Sequence, residues 1–159
     1  METADEFDGG EPLDAATMEQ VLQSIDCYVM GSRTYETALA FEKKGMGWAY
    51  GDTPTIVLTH RDLPRDRPTV EFYAGDLREL VDSRLKPRFG SIWFVGGGNV
   101  CGECLRQGLA DEVRVSVLPV VIGTGISFFE GLDETVALHL VEAKSYRNGM
   151  VALRHEVRR

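Results

Sequence analysis

Ser91-Ile92-Trp93-Phe94-Val95-Gly96-Gly97-Gly98-Asn99-Val100-Cys101 joins a short apolar run to three consecutive glycines and then to the opening of a helical pattern. Residues 91–95 read as a buried strand. The segment after the glycines reads as a helix with Cys101, Cys104, Leu105 and Leu109 on one side. Glycines between a strand and a helix let backbone N–H groups approach a phosphate at the positive end of the helix. A side chain at Gly97 or Gly98 would occupy the phosphate's place. The spacing fits neither G-x-G-x-x-G nor a Walker A loop, so a tight turn with φ > 0 positions is the alternative reading.

A second junction of the same kind lies upstream. Tyr28, Val29 and Met30 form an apolar run closed by Gly31, and residues 33–42 put Tyr35, Ala38 and Leu39 on one helical face. Met30-Gly31-Ser32-Arg33-Thr34-Tyr35 therefore offers a helix N-terminus, two hydroxyls and a cation, groups suited to a pyrophosphate. After a loop over residues 43–54 comes a β-branched strand, 55–59. Thr59-His60-Arg61, just past its end, places a hydroxyl, an imidazole and a guanidinium together, as a sugar phosphate would require. A solvated loop is the plainer reading of that step.

The rest of the chain completes the pattern. Residues 70–73 read as a strand, and Asp76 as the N-cap of a helix with Leu77, Leu80, Val81 and Leu85 on one face. Residues 13–25 carry Met18, Val21, Leu22 and Ile25 at helical spacing. Beyond Asp111 the period changes to two. Val113, Val115 and Val117 alternate with Arg114 and Ser116, Leu138 and Leu140 with Ala137 and His139, and Val151, Leu153, His155 and Val157 follow suit. Asn148-Gly149 suits a tight I′ turn, or a longer connection, between the last two strands. Strand–helix units followed by antiparallel strands predict an α/β domain over residues 13–159, with a mixed, mostly parallel sheet flanked by helices. Residues 1–12 read as an acidic tail or loop.

Composition narrows the function. The chain has 159 residues and a net charge of −8, a field that repels phosphate backbones and argues against nucleic-acid binding. No apolar run approaches the roughly 20 residues of a membrane span. A small-molecule enzyme of the cytoplasm is the expectation. The three cysteines do not form a disulfide framework. Cys101-Gly102-Glu103-Cys104 is a C-x-x-C at a helix start, where thiol chemistry is an option, but both residues share the apolar stripe of their helix and read as core. No metal site is expected.

Three glycine or hydroxyl junctions at strand ends are what a dinucleotide needs, and they carry a resemblance. Residues 28–36 resemble the "strand, M-G-R-x-T-[WY]-E" element of the dihydrofolate reductase superfamily. Residues 55–61 resemble its next strand and "S-R" step, and residues 93–100 its "G-G-G" strand–loop. Leu118-Pro119-Val120-Val121-Ile122-Gly123-Thr124-Gly125-Ile126-Ser127-Phe128-Phe129 is similar to the "P-V-x-x-G-x-G-x-x-x-F" segment of one branch. That branch holds the reductase domain of the bifunctional riboflavin-biosynthesis deaminase-reductase and its stand-alone relatives. The resemblance implies a dihydrofolate-reductase-like fold ending in an antiparallel hairpin, and an NADPH-dependent reductase of a small heterocyclic substrate. It implies that Gly31, Ser32, Arg33 and Thr34 hold the pyrophosphate and adenosine side of NADPH. It assigns Thr59, His60 and Arg61 to the 2′-phosphate, and Gly96, Gly97, Gly98, Asn99 and Val100 to the other side of the pyrophosphate. Ser32 and Asn99 stand where relatives often carry a cation. Asp14, on the first helix, is the carboxylate nearest the position of a proton-donating acid, or else a first-turn acid of that helix. Relatives in the branch are usually homodimers. A dinucleotide-binding module without turnover and a C-x-x-C thiol oxidoreductase are the rival readings.

The family normally opens with an apolar strand ending in "S-x-D-G", central in the sheet. Met1-Glu2-Thr3-Ala4-Asp5-Glu6-Phe7-Asp8-Gly9-Gly10-Glu11-Pro12 has no such run. The expectation is that the first central strand is missing, which would leave the strands at 92–95 and 113–117 with unpaired edges; either those edges are closed by direct pairing or by a partner chain, or the true start lies upstream, the reading preferred here.

Overall fold

Between Cys27 and Met30 every residue is at most 2% exposed, as expected of a parallel strand covered on both faces. This strand, β1 (Cys27–Gly31), organises the sheet around it in a computed structural model that describes residues 9–159. It is followed by α2 (Ser32–Phe41) and by a π-helical turn over Glu42–Met46. Next come β2 (Thr55–Leu58), β3 (Val70–Tyr73), α3 (Leu77–Leu80, continued by a π-helical turn over Val81–Leu85), β4 (Ile92–Gly96) and α4 (Gly98–Arg106). All pairs in this sheet are parallel, in the order β3-β2-β1-β4. With residues 126–133 these elements form one compact unit, Gln23–Leu109 and Ile126–Asp133.

Local chemistry explains the elements. Asp76 Oδ1 accepts from the Glu79 N–H at 2.9 Å, so the predicted cap is present. The face it starts, Leu77, Leu80, Val81 and Leu85, is 1–6% exposed. On the sheet, Tyr28, Met30, Tyr35, Val57 and Val70 form a core cluster, with Trp48, Tyr50 and Phe72 packed against it. The Arg67 guanidinium lies 4.0 Å over the Trp48 ring and binds Glu42 at 2.6 Å, which ties the 43–54 loop and the π-helical turn to the segment that precedes β3.

The second unit holds the described residues up to Leu22 with Ala110–Gly125 and Glu134–Arg159. Its sheet is antiparallel, in the order β5-β7-β6, from β5 (Glu112–Val117), β6 (Leu138–Ser145) and β7 (Val151–Val157). The first helix, α1 (Ala15–Gln23), is shorter than the predicted 13–25, and its apolar stripe is covered only in part: Met18 and Leu22 are exposed, whereas Val21 and Ile25 are half-buried. Alternation in β6 likewise marks a strand but not a buried face, since Leu138 and Leu140 are exposed. Of the expected tail, residues 1–8 lie outside the described residues. Glu11 bridges Tyr146, with Glu11 N–H to Ser145 O and Arg147 N–H to Glu11 O both at 3.0 Å.

Two sequence expectations are sharpened here. The turn at Asn148-Gly149 is not type I′, because that turn needs φ > 0 at both central residues and among the described residues only glycines have it. Instead Gly149 N–H donates to Tyr146 O and Tyr146 N–H to Met150 O, both at 2.9 Å, making a three-residue loop with Gly149 at φ 79°. The expected edges are also seen: β4 pairs only with β1 and β5 only with β7 among the described residues, so the sheet is two ladders rather than one.

Candidate functional site

The strand order β3-β2-β1-β4 places a topological switch point between β1 and β4. The chain leaves β1 through α2 toward β2 on one side, and returns through α3 to β4 on the other. In open parallel sheets ligands bind outside the carboxyl ends of the strands at such a point. Here those ends are the two glycine junctions read from the sequence. The first-turn amides of α2 and α4 have no intrahelical acceptors, and the positive ends of both helix dipoles lie at the carboxyl edge of the sheet.

The glycines have separable roles. A Cβ on Gly31 would lie 3.3 Å from Val100 Cγ2, so Gly31 permits the close approach of β1 to α4. A Cβ on Gly97, the N-cap of α4 at an ordinary φ of −77°, would meet nothing nearer than Thr34 Oγ1 at 3.9 Å. That open space beside backbone donors is what a phosphate group fits. Gly96, joined to Gly97 by a cis peptide, has φ 138° and the same neighbour, Thr34 Oγ1. Gly98 differs: its Cβ would come within 2.5 Å of Ser127 O. Gly102 is similar, and a Cβ there would overlap Glu130 O. Glu130 N–H also donates to Gly98 O at 3.0 Å. The segment 127–130 thus straps the first turns of α4, and Gly98 serves this packing. The expectation that a side chain at Gly98 would act only on a phosphate is therefore corrected.

Thr59, His60 and Arg61 follow β2 at the same edge. Thr59 Oγ1 accepts from the Arg61 N–H at 2.9 Å, closing a small turn, and His60 is exposed. Arg61 is not free to act alone: Nη1 and Nη2 bind Glu36 Oε1 and Oε2 at 3.2 and 2.7 Å. That hydrogen bonding, with Arg61 and Arg33 close by, holds the Glu36 carboxyl below the usual carboxylate range. Asn99 and Val100, with Leu58, Gly75, Asp76, Leu77 and Glu103, line a shallow, open cleft. Of these, the sequence reading had named only Asn99 and Val100 as site residues.

Asp14 belongs to the other unit, where Oδ1 accepts from Thr17 N–H at 2.8 Å and Thr17 Oγ1 at 2.7 Å. These bonds lower its pKa, which suits a helix cap and is the opposite of what a proton donor at neutral pH needs. The C-x-x-C reading also meets a physical obstacle. Cys104 is 2% exposed, and burial pushes the Cys101 thiol up, away from the thiolate that redox chemistry uses.

Known proteins share this fold. A putative riboflavin biosynthesis protein from Shewanella sp. PV-4 superposes with a TM-score of 0.78 at 19% identity, covering 92% of this chain and 81% of that one. Acinetobacter baumannii RibD superposes at 0.63 and 16% identity, covering 98% of this chain and 54% of that one, so this chain spans about half of it. At these identities the likeness is one of fold. In sequence, the Bacillus subtilis (strain 168) protein YwjB is 29% identical over 137 residues, 86% of this chain and 75% of that protein. A family model matches residues 2–152, and the chain belongs to the RibD C-terminal domain family.

Proposed function

We propose that the chain is a reductase that moves a hydride from a nicotinamide dinucleotide, NADPH in the family's general pattern, to a small heterocycle of the riboflavin-pathway pyrimidine type. The observation that carries the reading is the switch-point cradle. Two helix N-termini, the open space at Gly97 and the Leu58–Glu103 cleft lie along one edge of a single parallel sheet. The cofactor supplies the hydride; the chain's task is binding and orientation. First-turn amides of α2 and α4, with the Thr34 hydroxyl, would hold the pyrophosphate. The cleft would take the adenosine, and Thr59, His60 and Arg61 would face its ribose. Local donors are needed because the whole chain, at −8, repels an anionic ligand.

The test is a titration of the full chain with NADPH and NADH, followed by tryptophan emission, and then turnover with a pyrimidine ribosyl phosphate followed by loss of reduced-nicotinamide absorbance. Saturable binding with turnover is the expected result. Binding without turnover on any such substrate would leave only a dinucleotide-binding module, and no binding would remove both. A homodimer and a cytoplasmic location are part of the same proposal. The exposed Leu138, Leu140 and Val141 of β6 support the dimer, and light scattering of the purified chain would check it.

A further inference from the structure

We propose that two copies of this chain pair edge to edge along β6, antiparallel and about a two-fold axis, with His139 of each opposite Glu142 of the other. The two antiparallel sheets then become one continuous sheet. The inference rests on the homodimer reading above and deepens it by naming the surface and the register.

Three observations support it. β6 lies at the edge of its sheet and pairs there with β7 alone. At the carboxyl end of β6 the chain covers the open edge itself: Glu11 N–H donates to Ser145 O at 3.0 Å, and Glu11 Oε2 binds Lys144 Nζ at 2.6 Å. From Leu138 to Ala143 no strand of the described residues lies along that edge, and every residue is exposed. Secondly, this stretch has neither proline nor lysine, two residues that keep an edge strand from pairing. Leu138, Leu140 and Val141 instead present apolar side chains to water.

Thirdly, the stretch is complementary to itself. Across the ladder Glu142 faces Arg154 and His139 faces Glu156. Arg154 and Glu156 are two positions apart and share a face of β7, so His139 and Glu142 share that face of β6. Three positions apart, they would lie on opposite faces of a regular strand. The register shift between Leu140 and Glu142, with Val141 as the extra residue, brings them together. Bulges often turn an edge away from partners; this one aligns the two polar side chains. With His139 opposite Glu142 of the second copy, Leu138 meets Ala143 and Leu140 meets Val141, apolar against apolar. A slip of one residue either way sets Glu142 against Leu138 or Leu140 and loses the pair. The imidazole N–H donates to the carboxylate, and the two-fold axis makes each contact twice.

The experiment measures the dimer Kd of the full chain at pH 7 by sedimentation equilibrium, for wild type, Glu142→Lys, His139→Glu and the double variant. Wild type is expected to be a dimer. Each single variant sets like groups opposite one another and should raise Kd at least about tenfold, whereas the double variant, with Glu opposite Lys, should return it to within about threefold of wild type. Glu142 also lies 3.9 Å from Arg154 of its own chain, so circular dichroism checks that the variants fold, and a second measurement avoids charge altogether. In Leu138→Cys/Ala143→Cys the two positions come within disulfide reach only across the seam; mild oxidation should give a covalent dimer, and neither single cysteine variant should. A monomeric wild type would overturn this proposal and the homodimer reading together. A dimer that the double charge variant fails to restore, or whose paired cysteines do not join, would overturn the edge pairing alone. NADPH titration of the same samples tests the reductase reading separately.

Discussion

Cys27 to Met30 of β1 are at most 2% exposed, whereas every residue of β6 from Leu138 to Ala143 is exposed. Both stretches are rich in apolar side chains. The difference follows from their positions: β1 lies between β2 and β4 in a parallel sheet whose crossovers cover both faces, while β6 is the edge of a three-stranded antiparallel sheet. An apolar strand thus reports its burial only together with its place in the sheet. The energetic consequence is that the parallel unit is sensitive to lost volume, and β6 much less so.

The sharpest way to break that comparison is a pair of truncations. Met30→Ala, in the parallel core, is expected to cost about 3 kcal/mol, and Leu140→Ala, on β6, under ~1 kcal/mol. Urea unfolding followed by circular dichroism measures both, and equal losses would contradict the contrast. Next in size is Gly102→Ala, whose Cβ would overlap Glu130 O. Overpacking of this kind costs about 1–3 kcal/mol. Gly97→Val has open space instead; it should leave stability near wild type while weakening NADPH binding by at least about tenfold. A Gly97→Val chain with unchanged affinity would remove the phosphate cradle.

Thiol labelling sharpens the comparison further. Burial raises the Cys27 thiol to about 11, and Cys101 is raised for the same reason. At pH 8 both stay protonated, so the native protein should react slowly with a thiol reagent and the urea-unfolded chain quickly. Rapid native labelling of Cys101 would reopen redox chemistry. The smallest effect belongs to Asp14 in the other unit. Its pKa is lowered on folding by the bonds from Thr17, so its contribution is present above the usual carboxylate pKa and is lost as pH falls through the lower, folded value. Asp14→Ala should lower Tm by at most about 4 °C at pH 7, with the difference from wild type disappearing under strongly acidic conditions.

What could be read beforehand was what is local in the chain. The cap at Asp76 with its face of Leu77, Leu80, Val81 and Leu85 was legible because cap and face lie within ten residues. So were the two glycine junctions, each a strand end next to a helix start. The rest depended on distant partners. Nothing near Gly98 or Gly102 indicates that Ser127 and Glu130 will lie against them. Nothing near Arg61 indicates Glu36, 25 positions earlier. The period of α1 required an apolar face, yet periodicity does not say what covers it, and Met18 and Leu22 are exposed. The Asn148-Gly149 pair permits either a I′ turn or a longer connection, and the loop is the longer one: it takes a third residue, Arg147, and leaves the φ > 0 position to Gly149 alone.

The aromatic cluster has an optical consequence. Trp48 lies 6.0 Å from Tyr35 and 5.0 Å from Tyr50, and Trp93 lies 6.0 Å from Tyr28. At such separations excited Tyr28, Tyr35 and Tyr50 pass their energy to the indoles, so the emission of these three tyrosines should appear only when that unit opens. Both tryptophans belong to the parallel-sheet unit; the antiparallel unit contains Tyr146 and no indole. Tryptophan light is therefore a private channel to one half of the chain. Where the emission change precedes the circular-dichroism change during urea unfolding, the interval between them is the range of urea over which the other half persists on its own.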